Sequence, residues 1–219
     1  MLDPFCGCGT TVHAAQKLNR RWIGIDVTHL AVALIETRLK DAFAGKARFE
    51  VHGVPKDVAA ARDFFDRDAG TKKEFEKWAC GLIAAYPQGG GKKGADGGID
   101  GTFWFGPDKK LKAVVSVKGG RNVGVGMVRD LDSAATREGA ALGVVLTLEP
   151  PTRNMVQEAA GMGTLDVSGF APRPRIQIVT VEDALARGPA AVDAPLRHGD
   201  TYKPAPRERD PSAQGRLDV

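Results

Sequence analysis

The sequence predicts an α/β protein of 219 residues built in two parts, and three observations along the chain support this fold class. Residues 1–45 indicate a helix, a strand and a helix behind a glycine-rich loop. Residues 71–186 alternate helical patterns with short runs of apolar, β-branched residues, which is typical of strands packed between helices. Residues 187–219 lack periodicity and are predicted to be disordered, and residues 46–70 connect the two parts.

The N-terminal part has a sequence signal for each of its elements. A helix is predicted over residues 12–18, a strand over residues 22–27 and a second helix over residues 30–39. Arg38 and Lys40 place positive charge near the end of the second helix, where the helix dipole favours it. Only Met1 and Leu2 precede the loop, whereas a buried strand needs about 5 residues, so the chain is expected to begin inside a domain.

The second part begins with an amphipathic helix. Residues 71–85 place Phe75, Trp78, Leu82 and Ile83 on one side, which indicates a buried face. Residues 88–98 form a glycine-rich loop. The other predicted elements are strands over residues 49–55, 101–105, 113–117, 141–148 and 176–179, and helices over residues 58–68, 125–138, 154–160 and 181–186.

Composition excludes several classes of protein, and charge points to an anionic partner. The chain is 42% hydrophobic and 26% charged, and no apolar run approaches the roughly 18 residues of a membrane helix. Three cysteines and no secretory signal indicate a reduced, cytoplasmic protein. The formal charge is +4, and residues 72–137 hold twelve Lys/Arg against seven Asp/Glu. The basic excess therefore lies in one middle segment.

The N-terminal loop and the strand after it have the pattern of a nucleotide site. The loop is Asp3-Pro-Phe-Cys-Gly-Cys-Gly-Thr-Thr11, and Asp26 follows fifteen residues later, near the end of the predicted strand. Glycines let the backbone approach a ligand, the next helix points its N–H groups at it, and the acid can accept hydrogen bonds from ribose hydroxyls. The string resembles the S-adenosylmethionine loop of the DNA methyltransferases that modify exocyclic amino groups of adenine or cytosine.

This resemblance covers about residues 1–45 and implies a C-terminal piece of a Rossmann-like methyltransferase. It implies that Asp26 holds the ribose and that the cofactor is lined by Asp3, Phe5, Gly7, Gly9, Thr10 and Thr11. The family's catalytic motif is Asp/Asn/Ser-Pro-Pro-aromatic, and nothing in the sequence matches it. The chain alone is therefore expected not to methylate DNA.

A second glycine-rich stretch leads into a pattern suited to phosphodiester hydrolysis. Gly94-Ala-Asp-Gly-Gly-Ile-Asp100 precedes one predicted strand, and the next strand carries Ser116-Val-Lys118. Asp100 can bind Mg²⁺, which polarises a phosphate and lowers the pKa of a water. Lys118 can orient that water or neutralise developing charge. Ser116 and Lys118 share one face of their strand because side chains alternate.

This pattern resembles the Mrr-like branch of the PD-(D/E)xK nucleases over about residues 71–186. The resemblance implies a restriction-endonuclease-like domain with a central mixed sheet, and it adds Glu76 of Glu74-Phe-Glu-Lys-Trp78 as an acid that assists metal binding. Asp100 and Glu76 are thus the expected Mg²⁺ ligands, with Ser116 and Lys118 completing the active site. Serine stands where the family has Glu or Gln and is a poorer Mg²⁺ ligand, so Glu76 or the Val117 carbonyl is expected to compensate.

The tandem order resembles bacterial site-specific DNA methyltransferases that carry a C-terminal Mrr-like domain. It implies a restriction–modification enzyme that acts on double-stranded DNA. Two alternatives stay open. The nuclease fold could serve only as a DNA-binding platform, which Ser116 favours, or another chain could supply the N-terminal methyltransferase half.

Several charged residues have both a functional and a plain structural interpretation. Asp96 could be a second metal ligand, although Asp before Gly-Gly is more often a turn residue. Four basic residues could contact phosphates or form a solvated face, namely Lys92, Lys93, Arg121 and Arg129.

Two tryptophans and one cysteine motif also have competing interpretations. Trp78 and Trp104 are predicted to lie in the core rather than to stack on bases. Cys6 and Cys8 with His13 could suggest zinc, but a structural zinc site takes four ligands and no fourth is near in sequence. Small residues filling the loop are therefore the preferred interpretation.

Overall fold

A computed structural model of the chain describes residues 1–88, 98–196 and 206–208. These residues form two compact units, one of residues 1–54 with 206–208 and one of residues 55–88 with 98–196. Of the tail predicted to be disordered, residues 188–191 form a 3₁₀ helix and Val192 is buried. The rest of that tail lies outside the described residues, apart from 193–196 and 206–208. Within the described parts of the chain, no helix is long and apolar enough to cross a membrane.

The first unit contains two short strands, each followed by a helix. Its elements are β1 (Leu2–Asp3), α1 (Thr10–Lys17), β2 (Ile23–Gly24) and α2 (His29–Ala42). The two strands pair in parallel, with Leu2 opposite Ile23. The buried core of the unit consists of Cys6, Val12, Ile35 and Leu39. This is the predicted order of elements, with a shorter strand.

The strand predicted over residues 49–55 is wrong, because no strand forms there. Phe49 instead packs its ring against Trp22, with 6.3 Å between the ring centres. Phe49 therefore makes a side-chain contact in place of a backbone ladder.

Gly9 is a position where the first unit requires glycine. Its φ is +77°, and an added Cβ would lie 2.6 Å from Cγ1 of Ile35. Gly9→Ala is expected to destabilise the unit by about 3 kcal/mol, since left-handed strain adds to overpacking of the core. Gly7→Ala is the matched control, because Gly7 has a φ of +48° but no atom of the described part of the chain lies within 4 Å of an added Cβ. Hydrogen exchange of the α1 amides would measure the difference, and equal protection in both variants would contradict the prediction.

The second unit alternates helices and strands after an opening pair of helices. Its elements in chain order are α3 (Val58–Asp66), α4 (Thr71–Leu82), β3 (Tyr86–Pro87), β4 (Gly101–Phe105), β5 (Leu111–Lys118), α5 (Val125–Arg137), β6 (Leu142–Thr147), α6 (Arg153–Gly161), β7 (Thr164–Leu165), β8 (Arg173–Pro174), β9 (Ile176–Thr180) and α7 (Val181–Arg187). Five of the strands form one sheet in the order β3–β4–β5–β6–β9. β5, β6 and β9 run parallel to one another, whereas β4 pairs antiparallel with both β3 and β5. The predicted α/β fold with a central mixed sheet is confirmed.

Helices α5 and α6 cover one face of this sheet because each lies in a crossover between parallel strands. Every residue of β6 is buried, as expected for a central parallel strand. The cluster on this face includes Val114 and Val145 of the sheet, Val128 and Leu131 of α5, and Met155 of α6. This packing fixes the ends of β5 and β6 relative to each other.

Helix α4 packs against α3 through a group of aromatic rings. The ring of Phe75 lies 5.1 Å from that of Phe65 and 5.5 Å from that of Trp78. Of the four residues predicted to form the buried face, Phe75, Trp78 and Ile83 are buried and Leu82 is partly buried.

The prediction that Trp104 lies in the core is wrong. Its exposed fraction is 54%, whereas Phe103 and Phe105 on either side are buried. Successive side chains of a strand point to opposite faces, and β4 buries the face that carries the two phenylalanines while the face that carries Trp104 is exposed.

Candidate functional site

The glycine-rich loop of the first unit lies against the acid that follows β2. The Gly7 N–H donates to Oδ2 of Asp26 at 2.9 Å, and the N–H and hydroxyl of Thr28 both donate to Oδ1 at 2.9 Å. These hydrogen bonds, that of the Thr28 N–H above all, lower the pKa of Asp26. Asp26 is therefore a hydrogen-bond acceptor held beside the loop, and its ionised form is favoured.

The remaining loop residues surround this contact. Asp3 accepts a hydrogen bond from the Phe5 N–H at 3.2 Å, and the Phe5 side chain is exposed. Gly9 precedes α1, which begins with Thr10 and Thr11. The loop residues predicted to line the cofactor thus lie on one continuous segment that runs from the end of β1 to the first turn of α1.

Arg38 is a loop contact whose role the sequence did not reveal. Its Nη1 donates to the Cys8 carbonyl at 2.8 Å and to the Thr10 hydroxyl at 3.5 Å, which ties α2 to the loop. Its position near the end of a helix suggested only a favourable interaction with the helix dipole.

In the second unit, Asp100 directly precedes β4 and is fixed on β5. Its N–H donates to the Val115 carbonyl at 2.8 Å. Its carboxylate Oδ2 accepts the Val117 N–H at 2.7 Å and the Ser116 hydroxyl at 3.4 Å. The structure therefore brings Asp100 and Ser116 together, and Lys118 follows on the same face at the end of β5.

Glu76 reaches the same region from α4. Burial raises the pKa of Glu76 and the negative charge of Asp100 raises it further, whereas Lys118 and Lys73 act in the opposite direction. Two carboxyl groups and an ammonium therefore interact electrostatically at one place. Charge interactions link Glu76 to Asp100 and Lys118, and Asp100 contacts Ser116 directly, so these four residues are the candidate nuclease cluster.

The chemistry of this cluster fits Mg²⁺. Proteins hold Mg²⁺ through one or two carboxylates and leave the other positions to waters and substrate phosphates. Across residues 1–88, 98–196 and 206–208, no three or more His, Cys, Asp or Glu side chains are grouped as a metal site. Asp96, Lys92 and Lys93 lie outside the described residues. The candidate ligands are thus Asp100 and Glu76.

Thr147 is a polar residue beside the cluster that the sequence did not single out. It lies opposite Lys118 in the register of β5 and β6 and is fully buried, and its hydroxyl has no hydrogen-bond partner among the residues that the structure describes. Buried hydroxyls normally have a partner, so this one is available to a polar group on the Lys118 face. Nothing in the sequence distinguishes it from an ordinary strand residue.

The two described arginines with alternative roles differ in their contacts. Arg129 makes two hydrogen bonds to Glu158, at 2.6 and 3.2 Å. Arg121 is 72% exposed and lies 3.5 Å from Asp66. Arg121 is therefore the more open of the two to a phosphate.

The raised pKa of Glu76 predicts a stability effect in the metal-free protein. Because the folded state binds this proton more tightly than the unfolded state, stability is lost as pH rises through the raised pKa. Glu76→Gln is therefore expected to raise the melting temperature at neutral pH by about 2–4 °C, with the gain disappearing in acid. Thermal unfolding in EDTA across pH would measure it.

Glu74→Gln is the matched control for this variant. Glu74 is on the same helix and forms an ion pair with Lys77 at 2.7 Å, so its replacement removes a favourable contact. A stability gain at neutral pH from Glu74→Gln, or none from Glu76→Gln, would contradict the prediction.

Comparison with known proteins gives a match for each part of the chain. Residues 1–37 match a family described as DNA methylase, and residues 67–168 match a family described as restriction endonuclease. The Type II methyltransferase M.EcaI of Enterobacter cloacae is 50% identical over 38 residues, which is 17% of this chain. The chain thus matches only 8% of the length of that relative. The two predicted resemblances, and their order along the chain, are confirmed.

Proposed function

We propose that this chain, which joins a DNA methylase segment to a domain similar to restriction endonucleases, belongs to a restriction–modification enzyme whose second unit cleaves double-stranded DNA with Mg²⁺. The observation that carries the proposal is the Asp100 carboxylate, which is hydrogen-bonded to Ser116 and to the Val117 N–H on the strand that ends at Lys118. The charges of Asp100 and Lys118 both act on Glu76. These residues come from three separate segments of the chain. Two half-buried carboxylates repel each other, which costs stability, so their pairing is better explained by a functional role than by a structural one.

Each residue of the cluster has a task in this proposal. Asp100 and Glu76 hold Mg²⁺, while the Val117 N–H and the Ser116 hydroxyl fix the Asp100 carboxylate. A bound Mg²⁺ polarises the scissile phosphate and lowers the pKa of a coordinated water. Lys118 orients the attacking water and offsets the negative charge that develops on the phosphate.

The test is cleavage of supercoiled plasmid by the purified chain. Nicked and linear products are expected with Mg²⁺ or Mn²⁺ and not with EDTA. Methylated and unmethylated plasmids should be compared, since the chain also carries a methylase segment. DNA binding without cleavage in every one of these conditions would overturn the nuclease proposal.

Ser116 favours a second candidate function, a DNA-binding platform that does not cleave. The Ser116 side chain is 3% exposed and its hydroxyl is bonded to Asp100, so it adds no negative charge for a metal. Salt-dependent DNA binding without metal-dependent cleavage would select this function.

Ser116→Glu separates a weakened nuclease from a binding platform. If the site holds Mg²⁺, the added carboxylate is expected to lower the half-saturating Mg²⁺ concentration for cleavage about tenfold, a gain of about 1.4 kcal/mol. Ser116→Gln is the control, because it has the same size without the charge. Identical Mg²⁺ dependence in the two variants would show that this position does not face the metal.

For the first unit we infer S-adenosylmethionine binding and completion by a methyltransferase half from another chain. Parallel sheets are normally covered on both faces, whereas Leu2 and Ile23 are each 63% exposed and Val27 is 86% exposed. Co-expression with a chain bearing Asp/Asn-Pro-Pro-aromatic is expected to give co-purification and cofactor binding that Asp26→Asn weakens. Independent purification of the two chains would contradict the inference.

A further inference from the structure

Helix α3 lies before the residues that match the restriction endonuclease family, yet it touches the strand that carries Lys118. Gly119 directly follows Lys118 and is covered by the ring of Phe65. A Cβ added at Gly119 would lie 2.3 Å from Cδ2 of Phe65. Only glycine lets the chain pass under this ring.

Arg62 makes a second contact from α3 to the same place. Its Nη1 donates to the Gly119 carbonyl at 2.6 Å, and its Nη2 donates to Oε1 of Glu149. The Arg62 side chain is 15% exposed and that of Glu149 is 32% exposed. This is a partly buried, charge-assisted contact, stronger than an exposed ion pair.

The two partners of Arg62 follow neighbouring parallel strands. Gly119 comes one residue after the end of β5, and Glu149 comes two residues after the end of β6. The Leu148 N–H also donates to the Lys118 carbonyl at 3.0 Å. One guanidinium therefore holds together the strand ends at which Lys118 and Thr147 lie.

Helix α3 also contacts the helix that carries Glu76. Phe65 and Phe75 have ring centres 5.1 Å apart, and Phe64 meets Trp78 edge to face at 6.2 Å. Helix α3 therefore links α4, which carries Glu76, to the end of β5, which carries Lys118.

We propose that Arg62 is a positioning residue of the nuclease site, acting through the Gly119 carbonyl and the Glu149 carboxylate to hold the Lys118 ammonium in place. The proposal rests on the proposed nuclease function. The planar fork of arginine serves two acceptors at once, which a lysine ammonium on a flexible stem does less well. Displacement of a reacting group by about 1 Å costs up to ~10²-fold in rate, so loss of this contact weakens catalysis without touching the DNA.

The test compares cleavage kinetics and thermal stability of Arg62→Ala, Arg62→Lys and Glu149→Gln with wild type. Arg62→Ala is expected to lower kcat about 10- to 100-fold with KM for DNA unchanged within about twofold. Arg62→Lys should retain part of the rate. Glu149→Gln should lower kcat less than Arg62→Ala does, because its amide oxygen still accepts from the guanidinium but the negative charge is lost. The last two variants keep the test valid if Arg62→Ala does not fold.

Arg187→Ala is the matched control, because Arg187 also donates to a backbone carbonyl, that of Ala190. Its rate is expected to equal that of wild type. An unchanged kcat in Arg62→Ala and Arg62→Lys would overturn the positioning role and leave the nuclease proposal standing. A raised KM with an intact kcat would overturn it in favour of a DNA contact. Absence of cleavage by the wild-type chain would overturn both proposals.

Discussion

Asp100→Asn is expected to lower metal-dependent cleavage by about 10³-fold, because several kcal/mol of transition-state stabilisation depend on the metal. Asparagine has the shape of aspartate. Its amide oxygen can still accept the hydrogen bond that the Val117 N–H donates to Asp100 at 2.7 Å in the wild-type chain. The variant loses the negative charge that attracts a hard cation. The effect on cleavage is therefore chemical rather than a consequence of misfolding.

The same substitution should change Glu76, which gives a second measurement. The charge of Asp100 raises the pKa of Glu76, so Asp100→Asn is expected to move that pKa down towards the ordinary value for glutamate. Titration of the Glu76 carboxyl by NMR in the metal-free protein would detect the change. A Glu76 pKa that does not move would mean that the two carboxyl groups do not interact.

Single-turnover cleavage of plasmid at saturating Mg²⁺ would measure the rate, with DNA affinity measured separately by anisotropy. Asp108→Asn is the control, because Asp108 lies in the turn between β4 and β5 with its side chain 71% exposed. Asp108→Asn should cleave like wild type. Cleavage by Asp100→Asn at more than about a tenth of the wild-type rate would contradict the assignment of Asp100.

Local sequence patterns predicted both clusters because their members are held by short-range geometry. The Gly7 contact with Asp26 follows from a loop, a helix and a strand of fixed length. Ser116 and Lys118 share a face because β5 alternates, and Asp100 meets them because β4 and β5 are adjacent antiparallel strands. Spacing within one hairpin therefore encodes most of the candidate nuclease site.

Contacts between distant segments were not predictable in the same way. Arg62 is separated from Gly119 by 57 positions and from Glu149 by 87, and no periodicity links such residues. Trp104 was misplaced for a related reason. Alternation shows that Trp104 and its neighbours point to opposite faces, but only the packing of the sheet decides which face is buried.

Lys118→Met is expected to lower cleavage about 10²- to 10³-fold, the range for loss of one charge-stabilising group in an active site. Methionine keeps an apolar stem of similar length, so packing at the end of β5 is preserved while the ammonium is lost. Lys112→Met is the matched control. Lys112 lies on the same face of β5 and is paired with Glu138 at 2.8 Å, so its replacement should cost little in cleavage rate.

The pH dependence of Lys118→Met distinguishes a charge in the site from a structural lysine. The positive charge of Lys118 holds the pKa of Glu76 down against burial and Asp100, so its removal raises that pKa further. Because Mg²⁺ binding needs the ionised carboxylate, the acidic limb of residual cleavage should move to higher pH in Lys118→Met and stay in place in Lys112→Met. If Lys118→Met cleaves more slowly but the acidic limb of its pH profile does not move, Lys118 acts away from Glu76. If its cleavage rate equals that of wild type, Lys118 is not part of the site.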